Sequence, residues 1–320
     1  MKTFVIVIRQ FIMALAVGCV SFSVQASQPV RLQVGFSPGG TTDIIARLVA
    51  DGMSKQLGRD IIVENRPGAS GNIAAAQVAE ATADGHTMLF APSSHATNAT
   101  LYKTKFNTEK DFSAVGLVAS TPYVLVVHPS LPVHTVADLI GYLKDRPGEL
   151  AYASASVGTA QHLAGEMFKE AAGVDMLHVP YKGSAAAFSD LAAGRTPIMF
   201  DNIAVVLPHI KSGAVRALAV TSAARSPLLA DVPTVMESGL SDFEISGWFA
   251  LLVPQGTQTD VIGGLNSRLN DTINEPAFRE RLQQLGAEII PTAPQEADSF
   301  IRDEIAKWRD VIHSASIAVD

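Results

Sequence analysis

The sequence contains one cysteine, two tryptophans and five tyrosines among 320 residues. A single thiol excludes a disulfide framework. Charged residues make up only 17%, and 24 basic residues face 31 acidic ones, a net charge of −7. Phosphate recognition needs clustered Lys and Arg, and no such cluster occurs, so no nucleic-acid partner is expected. No period of 20–50 residues recurs, which argues against a solenoid or propeller. Beyond residue 26 no apolar run approaches the roughly 20 residues of a membrane span. The G-x-S-x-G, H-E-x-x-H, Walker and G-x-G-x-x-G signatures are missing, and no cofactor or metal site is expected. A Ser/His/Asp triad is defined by geometry and not by order, so an exported α/β hydrolase stays open as an alternative. The chain does have apolar material: 48% of it is hydrophobic. That is enough for a sizeable core, and the length suits two domains.

The first 26 residues read as a secretory signal. Lys2 and Arg9 flank a basic start, an uncharged apolar run covers 11–20, and Val24 and Ala26 occupy −3 and −1 of a cut after Ala26. The run is too short to span a bilayer. Cys19 brushes against a lipoprotein signal, but Ala16 stands where such a signal has Leu, and cleavage after Ala26 removes the thiol with the leader. A soluble, exported protein is the expectation, with 22 basic and 31 acidic residues left.

In the remainder, short β-like runs alternate with helix-period segments. Strands are expected at 31–35, 61–63, 87–90, 123–127, 150–152, 176–179, 198–200, 215–221 and 248–253. Helices are expected at 41–57, 72–81, 136–144, 159–171, 184–193 and 205–212, then at 261–273, 276–285 and 297–313. Alternation of this kind implies βαβ units and mainly parallel sheets. Two glycine- and hydroxyl-rich loops, 35–43 and 153–159, each join a strand to a helix near the start of a run of βα units. The pattern therefore predicts two similar lobes: 27–122 with 222–320, and 123–221. The runs 123–127 and 215–221 are the candidate crossings.

Ligands of open α/β sheets lie beyond the carboxyl ends of the strands, where helix N-termini favour anions. Ser37, Gly39, Gly40, Thr41 and Thr42 have that chemistry in the first loop. Ser156, Gly158 and Thr159 repeat it in the second. The competing reading is that both loops are ordinary helix caps. Asp43 fits the first-turn dipole and is four residues before Arg47, which favours a structural ion pair over ligand contact. Ser93 and Ser94 end the third strand. His162 and Glu166 are four apart, too few ligands for a metal. Tyr181 suits either stacking on a ligand or packing. Asp201 and Asn202 suit a polar wall or a helix cap.

Several stretches, in order, resemble one family. They are Phe36-Ser-Pro-Gly-Gly-Thr-Thr-Asp-Ile-Ile-Ala-Arg47, Glu64-Asn-Arg-Pro-Gly-Ala-Ser-Gly71, Gly158-Thr-Ala-Gln-His-Leu-Ala-Gly-Glu-Met-Phe168 and His178-Val-Pro-Tyr-Lys-Gly183. Met199-Phe-Asp-Asn202, Ala217-Leu-Ala-Val-Thr-Ser222 and Asp231-Val-Pro-Thr234 follow. Together they resemble the extracytoplasmic solute receptors of tripartite tricarboxylate transporters, the Bug (TctC-like) family. The resemblance implies an α/β type II periplasmic binding protein with two Rossmann-like lobes joined by crossing strands. A small organic anion (a mono- or dicarboxylate, an acidic amino acid or an aromatic acid) would be held between the lobes and passed to membrane transporter subunits, by a monomer that does no chemistry. A sensory receptor for a signalling partner is the alternative. The resemblance implies ligand contacts in the first loop, 37–42, and the second, 156–159; the expected ligand-binding set is Phe36, Ser37, Gly39, Gly40, Thr41, Thr42, Asp43, Ser93, Ser94, Ser156, Gly158, Thr159, His162, Tyr181 and Asp201. This chain departs from the family pattern at Gly35, often Pro, and at Ala185-Ala186-Ala187, often Gly-Pro-Ala.

Overall fold

The computed structural model describes residues 29–314. The expected signal segment and Cys19 lie outside the described residues. Among the described residues ten strands form one sheet. β1 (Val30–Val34), β2 (Ile61–Asn65) and β3 (Thr87–Pro92) are mutually parallel in the order β2-β1-β3. β4 (Phe112–Val127) is 16 residues long. β5 (Ala151–Ser154), β6 (Leu177–Pro180) and β7 (Ile198–Asn202) form a second parallel set. β8 (Arg216–Val220), β9 (Ser246–Pro254) and the short β10 (Glu288–Ile289) complete the sheet.

β4 joins the two halves. Up to Pro122 it runs antiparallel to β9, and from Tyr123 it runs antiparallel to β7 and β8. Among the strands, β8 pairs with the second half of β4 alone, so it does not cross. The chain returns through turns between 221 and 245, pinned where the Thr221 amide donates to the Tyr123 carbonyl and the Ile245 amide to the Thr221 carbonyl, at 2.9 and 3.1 Å.

Helices cover both faces because the strands alternate. Leu89 and Ala91 of β3 join one apolar layer, Met88 and Phe90 another. The second layer packs α1 (Thr41–Leu57), α8 (Thr259–Asn274) and α9 (Pro276–Gln284). The first holds α2 (Asn72–Ala79), α3 (Ser94–Leu101) and α10 (Pro294–Ser314), and continues to α4 (Val136–Lys144) and α5 (Ala160–Ala172). α6 (Ser184–Ala192) and α7 (Ile203–Lys211) cover Val124 and Val126 on the far side of the second half. α1 buries Ile45, Ala46, Val49, Ala50 and Met53 along one stripe and stops at Gly58, whose φ of 62° suits glycine.

α3 is absent from the sequence expectation. Its residues, Ser-His-Ala-Thr-Asn-Ala-Thr-Leu, are mostly weak helix formers; packing against α10 and burial of Ser94, His95, Thr97 and Asn98 hold it.

Gly35 ends β1 against backbone. A Cβ there would lie 2.4 Å from the Gly71 Cα, a clash no side-chain rotation relieves. Gly35→Ala is expected to cost about 1–3 kcal/mol of stability, read by urea unfolding; an unchanged midpoint would contradict this.

Candidate functional site

Five helices begin at the carboxyl ends of parallel strands and meet at one small cavity. β1 leads to α1, β3 to α3, β5 to α5, β6 to α6 and β7 to α7. The cavity is about 30 Å³. Phe36, Gly40, Thr41, Thr42, Ser93 and Ser94 line it from one half, and Ala155, Thr159, Ala160, Gln161, Ser184 and Asn202 from the other. Tyr123, at the crossing of β4, and Phe249, which the β9 register sets opposite Pro92, complete the wall. No Lys, Arg, Asp or Glu is among the lining residues.

None of the five helix starts carries a side-chain cap. Apart from the Ala96 amide, which donates to the Ser93 carbonyl at 3.1 Å, their first-turn N–H groups lack an intrahelical acceptor. Each end also carries a partial positive charge. Two hydroxyl oxygens add to this: Thr41 Oγ1 and Ser94 Oγ are buried and have no partner. Polar groups left so are rare and costly unless something answers them. The arrangement is therefore fitted to an anion held by neutral donors.

The two rims touch. Both the Ser37 amide and its hydroxyl donate to the Lys182 carbonyl, at 3.2 and 2.8 Å. The Tyr102 hydroxyl donates to the Val157 carbonyl at 3.1 Å, and the Thr97 hydroxyl to the Gly158 carbonyl. Gly183, at φ 144°, allows the approach: a Cβ would lie 3.3 Å from the Ser37 nitrogen. These bonds join the two rims beside the cavity.

Of the residues expected at a site, Phe36, Gly40, Thr41, Thr42, Ser93, Ser94 and Thr159 line the cavity. Ser37 forms the rim. The Gly39 amide donates to Asp43 at 3.0 Å. Asp43 is turned away and also accepts from Arg47 Nε at 3.0 Å and Asn65 Nδ2 at 2.8 Å. Burial opposes its charge, but the bonds from Arg47, Gly39 and Asn65 outweigh burial and keep its pKa below the usual value. The carboxylate thus braces the loop. The Ser156 carbonyl accepts the Thr159 hydroxyl at 2.7 Å, so Thr159 meets the cavity without its hydroxyl proton. The Gly158 amide donates to His162 Nδ1 at 3.1 Å. His162 stacks on His178 at 3.9 Å, and burial lowers its pKa to about 4. Tyr181 donates to Asp190 at 2.6 Å.

Asp201 is fully buried one layer behind the wall. Its Oδ1 accepts from Ser184 Oγ at 2.9 Å, Gln161 Nε2 at 3.2 Å and the Asn202 amide at 2.8 Å, while Oδ2 has no partner. Burial raises its pKa to about 6, against those bonds. Sequence reasoning missed Tyr123, Ala155, Ala160, Gln161, Ser184 and Phe249. Gln161 and Ser184 are first-turn residues after strand ends, a signal the position itself carries; Phe249 arrives through register alone.

A larger cavity of about 660 Å³ lies among 222–228, 244–246 and 283–288. No lining side chain there has an unpartnered buried polar atom, so shape is all it offers. Among the described residues no group of three or more His, Cys, Asp or Glu suits a metal, and no helix is long and apolar enough to cross a membrane.

Known proteins share this architecture. Residues 45–317 match the tripartite tricarboxylate transporter family receptor. Protein BugT of Bordetella pertussis is 36% identical over 296 residues, covering 92% of this chain and 91% of BugT. The structure of Rpa4515 from R. palustris with adipate superposes with a TM-score of 0.88 at 40% identity, covering 91% of this chain and 98% of that one. MatC from Rhodopseudomonas palustris, with bound malate, gives 0.83 at 31% identity, covering 89% and 98%. The α/β fold is that of the type II periplasmic binding proteins, and the chain belongs to the tripartite tricarboxylate transporter receptor family.

Proposed function

We propose that this chain captures a small organic carboxylate in the periplasm and delivers it to the membrane subunits of a tripartite transporter, without transforming it. One observation carries the reading. Five uncapped helix N-termini, with the unpartnered Thr41 and Ser94 oxygens, close on a cavity that has no charged side chain in its lining. The adipate and malate of the structural relatives are anions of this class. The ligand-binding set is the lining itself, with Ser37, Gly39, Asp43, Ser156, Gly158, His162, Tyr181 and Asp201 shaping it from behind. The working division is one lobe of 27–122 and 222–320 and a second of 123–221, closing as a monomer about residues 121–123 and 221. The leader 1–26 is removed after Ala26, so the periplasmic protein begins at Ser27.

A ligand that binds only the folded state stabilises it by RT ln(1 + [L]/Kd), about 2.7 kcal/mol at a hundredfold excess. A thermal-shift screen should therefore give hits among small organic acids and none among neutral sugars or nucleotides. Hits confined to neutral compounds would overturn the proposal.

A further inference from the structure

Four hydrogen bonds pass between the rims of the two halves. The Ser37 amide and hydroxyl both donate to the Lys182 carbonyl, at 3.2 and 2.8 Å. The Thr97 hydroxyl donates to the Gly158 carbonyl, and the Tyr102 hydroxyl to the Val157 carbonyl at 3.1 Å. All four donors belong to the first half, and every acceptor is a backbone carbonyl of the second. None of these residues is in the lining of the cavity. The bonds are therefore complete without any ligand atom.

α3 supplies two of the four donors. Thr97, Asn98 and Leu101, with Tyr102 just past the helix end, turn one side to the loop that opens α5. A Cβ at Gly158 would lie 2.7 Å from Leu101 Cδ1 and 3.6 Å from both Asn98 Oδ1 and Tyr102 Cε2, so the helix rests on bare backbone. The Ser156 side chain also bonds the Tyr102 hydroxyl. The Ser156 carbonyl is answered from within the second half, by Ser154 and Thr159. The next two carbonyls are answered from the first half alone, and parting the halves would leave them to water. Among the described residues no ion pair joins 123–221 to the rest of the chain.

We propose that Thr97 and Tyr102, with Ser37 on the opposite rim, form a clasp that keeps the halves together in the free protein, before any ligand arrives. The proposal rests on the two-lobe reading above and adds that closure is the resting state. A ligand then binds only the open fraction, which lowers its apparent affinity in proportion. Because the clasp consists of neutral donors and backbone carbonyls, salt does not screen it.

The test is pulsed electron double resonance on the mature protein with no acid added. The chain from Ser27 onward has no cysteine. Lys55→Cys in α1 and Lys144→Cys in α4, both exposed, therefore carry the only two spin labels, one in each half. The free protein should show one main label distance, that of the structure described above. A net hydrogen bond shifts an equilibrium roughly fivefold. Thr97→Val and Tyr102→Phe should each raise the open-to-closed ratio by about that factor, and the pair by about 25-fold, seen as a second, longer distance. Thr97→Ser, which keeps the hydroxyl, should retain the distribution of the unsubstituted protein. The ratio should also hold between about 20 mM and about 500 mM salt. A free protein showing only the longer distance, or a double variant with an unchanged distribution, would overturn the proposal. A ratio that changes with salt would assign closure to charge and overturn it equally. No acid enters the measurement, so the carboxylate reading stands or falls separately, in the thermal screen.

Discussion

Replacing Thr41 by Val and Ser94 by Ala together should weaken carboxylate binding at least about a hundredfold while the protein still folds. Both oxygens are buried, line the cavity and lack a partner, so neither substitution breaks a protein bond at that atom. Thr41→Val keeps the size of the side chain, and Ser94→Ala removes one small polar atom. A hydrogen bond to a charged group contributes roughly 1.5–3 kcal/mol, or tenfold and upward for each hydroxyl. Because both act on one ligand, the two effects need not add; each single variant fixes the comparison. Thr159→Val is the internal contrast. Its hydroxyl is already spent on the Ser156 carbonyl, so its effect on affinity should be smaller than that of Thr41→Val and come with a loss of stability. Equal losses at Thr41 and Thr159 would mean that hydroxyl count, and not availability, sets affinity.

Acid should unfold this protein unusually early. Burial lowers the pKa of His95 and His162 to about 4 and that of His178 to about 3, from 6.5. Neighbours fix the neutral forms: the Gly158 amide donates to His162 Nδ1, and His178 Nε2 meets Ser154 Oγ at 2.7 Å. A histidine whose folded pKa is depressed binds its proton first in the unfolded chain. Stability is therefore lost as pH falls from about 6.5 toward 4. Asp201 works the other way. Its folded pKa is raised to about 6 from 3.8, so the native state takes up one proton in the same window and gains from it. Three protons against one leave a net of two, a slope of about 2.7 kcal/mol per pH unit near pH 5. Between pH 7 and pH 5 the loss is roughly 4 kcal/mol, a large part of the 5–15 kcal/mol typical of a folded domain. Urea unfolding at pH 7, 6 and 5 measures it, and His178→Phe should reduce the slope by about one proton. Stability that is flat or rising from pH 7 to pH 5 would contradict the burial of these rings.

The origin of these effects also explains how far the sequence alone could be read. The parallel halves were legible because apolar strands and amphipathic helices alternate without interruption. The loop at the start of α1 was legible because Ser37-Pro38-Gly39-Gly40-Thr41-Thr42 joins a strand to a helix, and the Asp43–Arg47 pair because they are four positions apart. α3 was not, since Ser, His, Thr and Asn favour a helix there only through burial against α10. The first half of β4, with its shifts in register near Gly116 and Val118, shows no clean alternation. The network of Gln161, Ser184 and Asp201 was illegible for a different reason. The three side chains come from three separate elements, and only the folded chain brings them into mutual hydrogen bonds. The spent hydroxyl of Thr159 is hidden in the same way, because a threonine before a helix announces a donor whether or not its own loop has claimed it.

The central claim is that backbone amides and neutral hydroxyls, and no basic side chain, hold the anion. The direct measurement is a crystal structure of the mature protein with the acid selected by the thermal screen. A carboxylate within about 3.2 Å of the first-turn amides of α1 and α5 and of the Thr41 and Ser94 hydroxyls, with no Lys or Arg nitrogen in contact, is the predicted result. Ligand density in the larger cavity around 222–228, or a carboxylate paired with Arg or Lys, would contradict it.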